Sequence, residues 1–225
     1  NKSEGSGHIE LALEENKRLY AAIKGDGSGE FELQYDQVLV QLKGNKTEKS
    51  GELGVQIADE YILAKMSQTA GTGELVFKFG EVSYDLAADK TGKADMTVQV
   101  GDDLVHLLVD KPEGRGEIEV DIDGNSVAVM LDRAGTGTLE IETPSLKLGV
   151  SAEKEAGAGS FLFDDGNIII NVAANKSEGS GYVKVETGAD SVIANVSSTE
   201  RELKMSIDGT YFSVKTIGDD EGLIS

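Results

Sequence analysis

The stretch GELVFKFGEVSYDLAA, residues 73–88, decides the fold. Leu75, Phe77 and Phe79 take every second position, Gly80-Glu81 interrupts, and Val82, Tyr84 and Leu86 resume the alternation. A period of two is the period of a β-strand with one face turned to an apolar environment. A two-residue, glycine-bearing link is the signature of a tight hairpin, because its primed turn needs positive φ. With Gly80-Glu81 as the loop, Phe79 faces Val82, Phe77 faces Tyr84 and Leu75 faces Leu86, all on one side of a two-stranded unit.

Working outward, the same phrase returns about every 22 residues. The last glycine before each apolar run marks it: Gly7, Gly29, Gly51, Gly73, Gly92, Gly116, Gly137, Gly159 and Gly181, with a degenerate tenth copy near Glu202. Short links recur at Gly101-Asp102, Gly124-Asn125, Gly166-Asn167, Gly188-Ala189 and Asp208-Gly209. In the sixth copy a loop at Gly124-Asn125 sets Ile122 against Val127, Val120 against Val129 and Ile118 against Leu131. Between copies the connections are longer and polar, as in residues 44–50 and 175–180. The expected fold is all-β: about ten hairpins in one antiparallel meander with one apolar face, a single repeat domain over residues 1–225.

The alternative is a parallel β-solenoid with two strands per coil. Charges separate the two. The hairpin register sets Glu30 opposite Lys43, Glu52 opposite Lys65, Lys93 opposite Asp110 and Glu202 opposite Lys215, whereas a solenoid would stack Glu30, Glu52 and Glu74 on one another at about 4.8 Å. Glu117 opposite Asp132, from the loop at Gly124-Asn125, speaks against the hairpins. The balance favours the meander.

Twenty such strands would form a ribbon nearly 100 Å wide with one greasy side, at about 4.8 Å per strand. Water opposes that arrangement, so the sheet is expected to hide the side, most economically as a self-packed sandwich. An outer-membrane barrel fits poorly. Strands of about seven or eight residues tilted by roughly 45° fall short of the ~25 Å apolar band, and there is no Trp and no aromatic girdle.

The chain has 225 residues, no cysteine and a formal net charge of −20. A polyanion repels nucleic-acid phosphates and anionic lipid heads, so neither is an expected partner. No apolar run of about eighteen residues offers a membrane helix, and residues 1–25 lack a signal-peptide pattern, as expected if an export signal has been removed. Without cysteine there is no disulfide framework and no thiolate chemistry.

Catalytic constellations are not evident. His8 and His106 sit at polar-face positions of different copies, and a lone strand histidine is more often solvated surface than a ligand or base. Gly-x-Gly recurs seven times, yet a strand follows each copy where a phosphate loop needs a helix. Asp121, Asp123 and Asn125, and Asp165 with Asn167, resemble fragments of calcium loops; the bidentate glutamate and flanking helices of an EF-hand are missing, and tight turns account for these residues without a metal. Divalent cations are candidate partners through the overall acidity. Asn-x-Ser/Thr sequons stand at Asn1, Asn45, Asn175 and Asn195, three of them six residues before a marker glycine, as candidate glycosylation sites. No cofactor is expected.

The recurring Gly-Ser-Gly or Gly-Thr-Gly followed by alternating apolar and acidic residues resembles bacterial and archaeal cell-surface proteins built from short β repeats, including adhesin-like toast-rack proteins. That resemblance implies an extracellular or cell-envelope location and no catalytic residue. The expected function is a non-enzymatic, secreted structural or adhesive protein that self-associates or meets a cell-surface partner. The alternative is a carrier of lipid or another apolar molecule on a concave apolar face.

Overall fold

A computed structural model describes residues 5–217 and 221–224. The described chain is all-β and divides into two compact units, Asn1–Pro112 and Glu113–Ser225. The first unit holds β1 (Gly7–Glu14), β2 (Lys17–Ile23), β3 (Gly29–Tyr35), β4 (Val38–Asn45), β5 (Ser50–Ile57), β6 (Glu60–Ser67), β7 (Thr72–Phe79), β8 (Val82–Asp89), β9 (Lys93–Val100) and β10 (Asp103–Asp110). The second holds β11 (Arg115–Ile122), β12 (Asn125–Leu131), β13 (Thr136–Thr143), β14 (Leu146–Glu153), β15 (Ala158–Asp164), β16 (Ile168–Asn175), β17 (Ser180–Thr187), β18 (Asp190–Val196), β19 (Glu200–Ile207), β20 (Thr210–Ile217) and the short β21 (Glu221–Ile224).

Within each unit every strand pairs antiparallel with the next in sequence. The fold is therefore the hairpin meander, and the coiled alternative fails. Glu30 pairs with Lys43 and Lys43 with Glu52, so a lysine separates the two glutamates that a solenoid would stack. The hairpin of residues 73–88 closes as its pattern dictates, with Phe79 opposite Val82, Phe77 opposite Tyr84 and Leu75 opposite Leu86. The Phe77 and Tyr84 rings stack at 5.1 Å.

One turn differs from the expected ones. The loop of the β11–β12 hairpin is Asp123-Gly124, both with positive φ, so Ile118 faces Val129 and Val120 faces Val127. Aspartate tolerates the left-handed region better than most residues, and a primed turn of type I′ needs two such positions. The correction also removes the unfavourable charge pair, because Glu117 lies opposite Met130 rather than Asp132. At β15–β16 the loop is the expected Gly166-Asn167, with Asp164 opposite Ile169 and the backbone N–H of Asp165 donating to the Ile168 carbonyl at 3.2 Å. There Asp165 Oδ1 accepts the backbone N–H groups of Ile168 and Asn167.

The paired residues form rows that run across the strands. In the first unit one row reads Ile9, Ala21, Phe31, Leu42, Leu53, Ala64, Leu75, Leu86, Met96, Leu107, and its neighbour reads Leu11, Leu19, Leu33, Val40, Val55, Ile62, Phe77, Tyr84, Val98, Val105. Neither carries a charge. The second unit repeats the arrangement with Ile118, Val129, Leu139, Val150, Phe161, Val172, Val183, Ala194, Leu203, Val214 and the parallel row from Val120 to Phe212.

A third row explains the marker glycines. Gly29, Gly44, Gly51, Met66, Gly73, Ala88 and Ala94 lie side by side near the edge that carries the longer connections. In the fifth repeat the row position belongs to Ala94, while Gly92 is a loop residue with φ of 94°. The uneven spacing of the markers around Gly92 comes from that exchange of roles.

The first glycine of each Gly-x-Gly does different work. Gly71 has φ of 69°, and the backbone N–H of Lys90 donates to its carbonyl at 2.7 Å. The stem of Lys90 then lies over the glycine, where a Cβ would stand 2.7 Å from Lys90 Cβ. Gly92 under Lys111, Gly135 under Lys154 and Gly157 under Lys176 repeat both the bond and the close approach. Successive long connections are thus tied to one another independently of the strands.

No side chain among the described residues is fully buried, apolar or polar. The expected sandwich is absent: neither unit has a second layer over its apolar rows. Each row side chain is shielded only by its lateral neighbours, which leaves Leu42 46%, Leu53 40% and Leu75 37% exposed. Cross-strand pairs are the unit of stabilisation in a sheet, and here they act without an interior behind them.

Candidate functional site

Two surfaces stand out, one on each side of the sheet. The apolar side of the first unit is free of charge except along the tight-turn edge, where Glu14, Lys17, Glu60 and Asp103 occupy strand-end positions. Its tallest side chains gather around Phe77, Phe79 and Tyr84, with Phe77 also 6.2 Å from Phe79 between ring centres. It is a continuous greasy surface. Monomeric proteins rarely leave one of this extent in water.

The opposite side is polar and carries a ladder of alternating sign. Glu30, Lys43, Glu52, Lys65 and Glu74 are successive partners across β3 to β7. The ion pairs form toward the following hairpin, Lys43 with Glu52 at 3.1 Å and Lys65 with Glu74 at 3.6 Å. Of the four cross-hairpin pairs expected from the sequence, all are in register, and Lys93 with Asp110 also makes contact, at 3.9 Å. Lys215 instead reaches Glu200 at 2.8 Å and Glu202 takes Lys204 at 2.9 Å. Each inner strand has two neighbours, so a lysine chooses between two carboxylates.

This polar side carries a trough in each unit. A trough of about 1060 Å³ in the first unit is lined by the ladder and by Asn45, Ser50, Ser67, Thr72 and Asp89 beside it. A smaller one of about 580 Å³ in the second unit is lined by the equivalent rows, including Ser151, Ser160, Tyr182 and Asn195. The hydroxyls of Ser151 and Ser160 are 2.6 Å apart, and Tyr182 Oη donates to Asn171 Oδ1 at 2.8 Å. The troughs are paved by groups that already satisfy one another.

The candidate calcium residues are committed to turns. Asp123 is the first loop residue of its hairpin, and the Asn125 amide donates to the carbonyls of Ile122 and Asp123 at 3.1 and 3.2 Å. Asp121 lies one strand position away, opposite Ser126 on the polar side. Asp165 holds its own loop, and the N–H groups of Ile168 and Asn167 keep its carboxyl below the ordinary value. Asn167 thus serves the turn through its backbone. Asp26 and Asp89 play the same part in the long connections, their pKa lowered chiefly by the hydroxyls of Ser28 and Thr91.

Of the sequons, Asn1 lies outside the described residues. Asn45 and Asn175 end β4 and β16 at the long-connection edge, where their Oδ1 atoms accept backbone N–H groups from Glu48 and Glu178. Asn195 is a strand residue whose amide donates to Glu202 Oε2 at 3.4 Å. His8 is an exposed residue of β1. His106 does have a partner that pattern reading missed, Asp95 Oδ1 at 3.1 Å from its Nε2 on the neighbouring strand. That pairing is diagonal in the register, and the sequence signal for it was the β9–β10 loop itself.

No helix among the described residues is long and apolar enough to cross a membrane. No family model matches the chain, and no curated protein matches it.

Proposed function

We propose that this is a non-enzymatic structural or adhesive repeat protein that works outside the cell or in its envelope. The observation that carries the reading is the absence of an interior among the described residues. Five hairpins are laid side by side in each unit with both faces of the sheet open, an architecture that maximises surface rather than enclosing a reaction centre. The residues that looked most like chemistry at the level of sequence are occupied in turns and cross-strand pairs. Sequons at the ends of β4 and β16 and the acidic balance support a solvated, external setting.

The carrier reading is less favoured for a geometric reason. A carrier needs a deep apolar cup, and the largest trough described lies on the polar side, while the depression of about 670 Å³ beside Ala21, Ile23, Phe31 and Leu42 on the apolar side is shallow and open. The scaffold reading is tested on intact source cells with a membrane-impermeant amine label. Labelling of the exposed lysines of the connections, Lys46 and Lys176 among them, supports it, and labelling only after lysis refutes it. A mobility shift on N-glycosidase treatment that is lost in Asn45→Gln and Asn175→Gln would add the glycan.

A further inference from the structure

We infer that a second copy of this chain covers the apolar face of the first unit, so that two such sheets stack into a two-layer sandwich. The inference deepens the scaffold reading by naming its partner, and it rests on the shape and chemistry of one surface.

That surface has the size of an interface. Ten strands at about 4.8 Å by about seven residues at roughly 3.3 Å give a face on the order of 1,000 Å². A stable protein interface takes about 800 Å² from each partner, so a single face suffices without help from the rest of the chain. It also has the right anatomy. The two central rows are uncharged and carry the aromatic residues Phe31, Phe77 and Tyr84, while charge is confined to the rim at Glu14, Lys17, Glu60 and Asp103. A charge-free centre with a polar rim is how protein interfaces are built.

The choice of a second copy over other occupants follows from the pleat. Side chains standing on one sheet form a regular grid, and the surface that interdigitates with such a grid is another sheet with the same spacing, about 10 Å away. This chain supplies that surface itself. A lipid layer is disfavoured because the molecule is strongly acidic, with a net charge of −20, and anionic head groups repel it. A small apolar guest would need an enclosing cup, and the depression beside Ala21, Ile23, Phe31 and Leu42 on this face is open rather than enclosed.

The test is sedimentation equilibrium of the full chain across a concentration series, with the 23.8 kDa monomer as reference. Doubling of the mass is expected. Leu53→Lys and Phe77→Lys, combined, place two charges in the central rows, and because neither side chain is fully buried in the isolated sheet the strands are expected to remain, as read by far-ultraviolet circular dichroism. The double variant should weaken association at least tenfold. Gln56→Lys, on the opposite face, should leave it unchanged. A mass that stays monomeric at every concentration overturns the inference, as does a dimer indifferent to the double variant. A dimer abolished by Phe161→Lys but not by Phe77→Lys overturns it in favour of the second unit. A monomer carrying stoichiometric extractable lipid overturns it in favour of the carrier. Association of a protein found only inside cells would leave the inference standing and remove the scaffold reading, so the two fail separately.

Discussion

Lys90 covers Gly71 twice over: its backbone N–H donates to the glycine carbonyl at 2.7 Å, and its side-chain stem occupies the space a methyl group on Gly71 would need. The contact joins connections one repeat apart and recurs along the same edge. Glycine is required there for conformation and for room at once.

The two requirements can be separated. Gly80 has φ of 58° and open space within 4 Å of where a methyl group would stand, whereas Gly71 has φ of 69° and Lys90 above it. Gly80→Ala should cost about 1 kcal/mol, the strain of a left-handed alanine. Gly71→Ala should cost at least about 1 kcal/mol more, from overpacking against Lys90. Urea denaturation of the two variants measures the difference, and equal losses would mean that the close approach contributes nothing.

Lys49 occupies the left-handed position that glycine holds in most other connections, with φ of 48°. Its carbonyl accepts the N–H of Gln68, a bond that does not involve its side chain. Lys49→Gly should therefore stabilise the protein, by roughly 1 kcal/mol from relieved strain less the entropy of the added glycine. A lower denaturation midpoint would count against the assigned backbone.

Reversing one rung of the charge ladder tests the register. Lys43→Glu places three carboxylates side by side, since Lys43 stands between Glu30 and Glu52. A loss of about 1 kcal/mol is expected in dilute buffer, shrinking in ~1 M salt as the Debye length contracts. A salt-independent effect would point to packing.

Acid should loosen the long connections. Asp89 Oδ1 accepts the Thr91 hydroxyl at 2.6 Å and the N–H groups of Thr91 and Lys93 at 2.8 and 3.1 Å, which lowers its pKa from 3.8. A carboxyl whose folded pKa is depressed contributes stability that is present above its unfolded value and is lost as pH falls through the folded one. Asp26 and Asp165 follow the same rule. Asp89→Asn should be less stable than the parent near neutrality, and the gap should close as pH falls below 3.8 and the parent aspartate protonates. Thermal melts on either side of that value decide it.

Much of the fold can be read from residue identities. Alternation places Phe77 against Tyr84 and Glu30 against Lys43, because a period of two and a two-residue loop leave no other register. The register error arises where a residue other than glycine takes the left-handed conformation. Asp123 does so, moves the β11–β12 loop by one residue and changes every partner beyond it. Ala58 and Asp208 take the same conformation without moving their registers. The side chain that shields an apolar row is not encoded in the row, so the absence of a second layer has no sequence signal. Nor does the trough, since concavity depends on how strands twist and not on which face is charged.

A protein with no interior has nothing central to disrupt. Within each unit a hairpin leans only on the one before and the one after, so excising a whole repeat, residues 51–72 for example, would bring like against like at the seam and shorten that sheet by one step. Length in such a molecule is a heritable dimension that gene duplication or deletion can adjust without redesign.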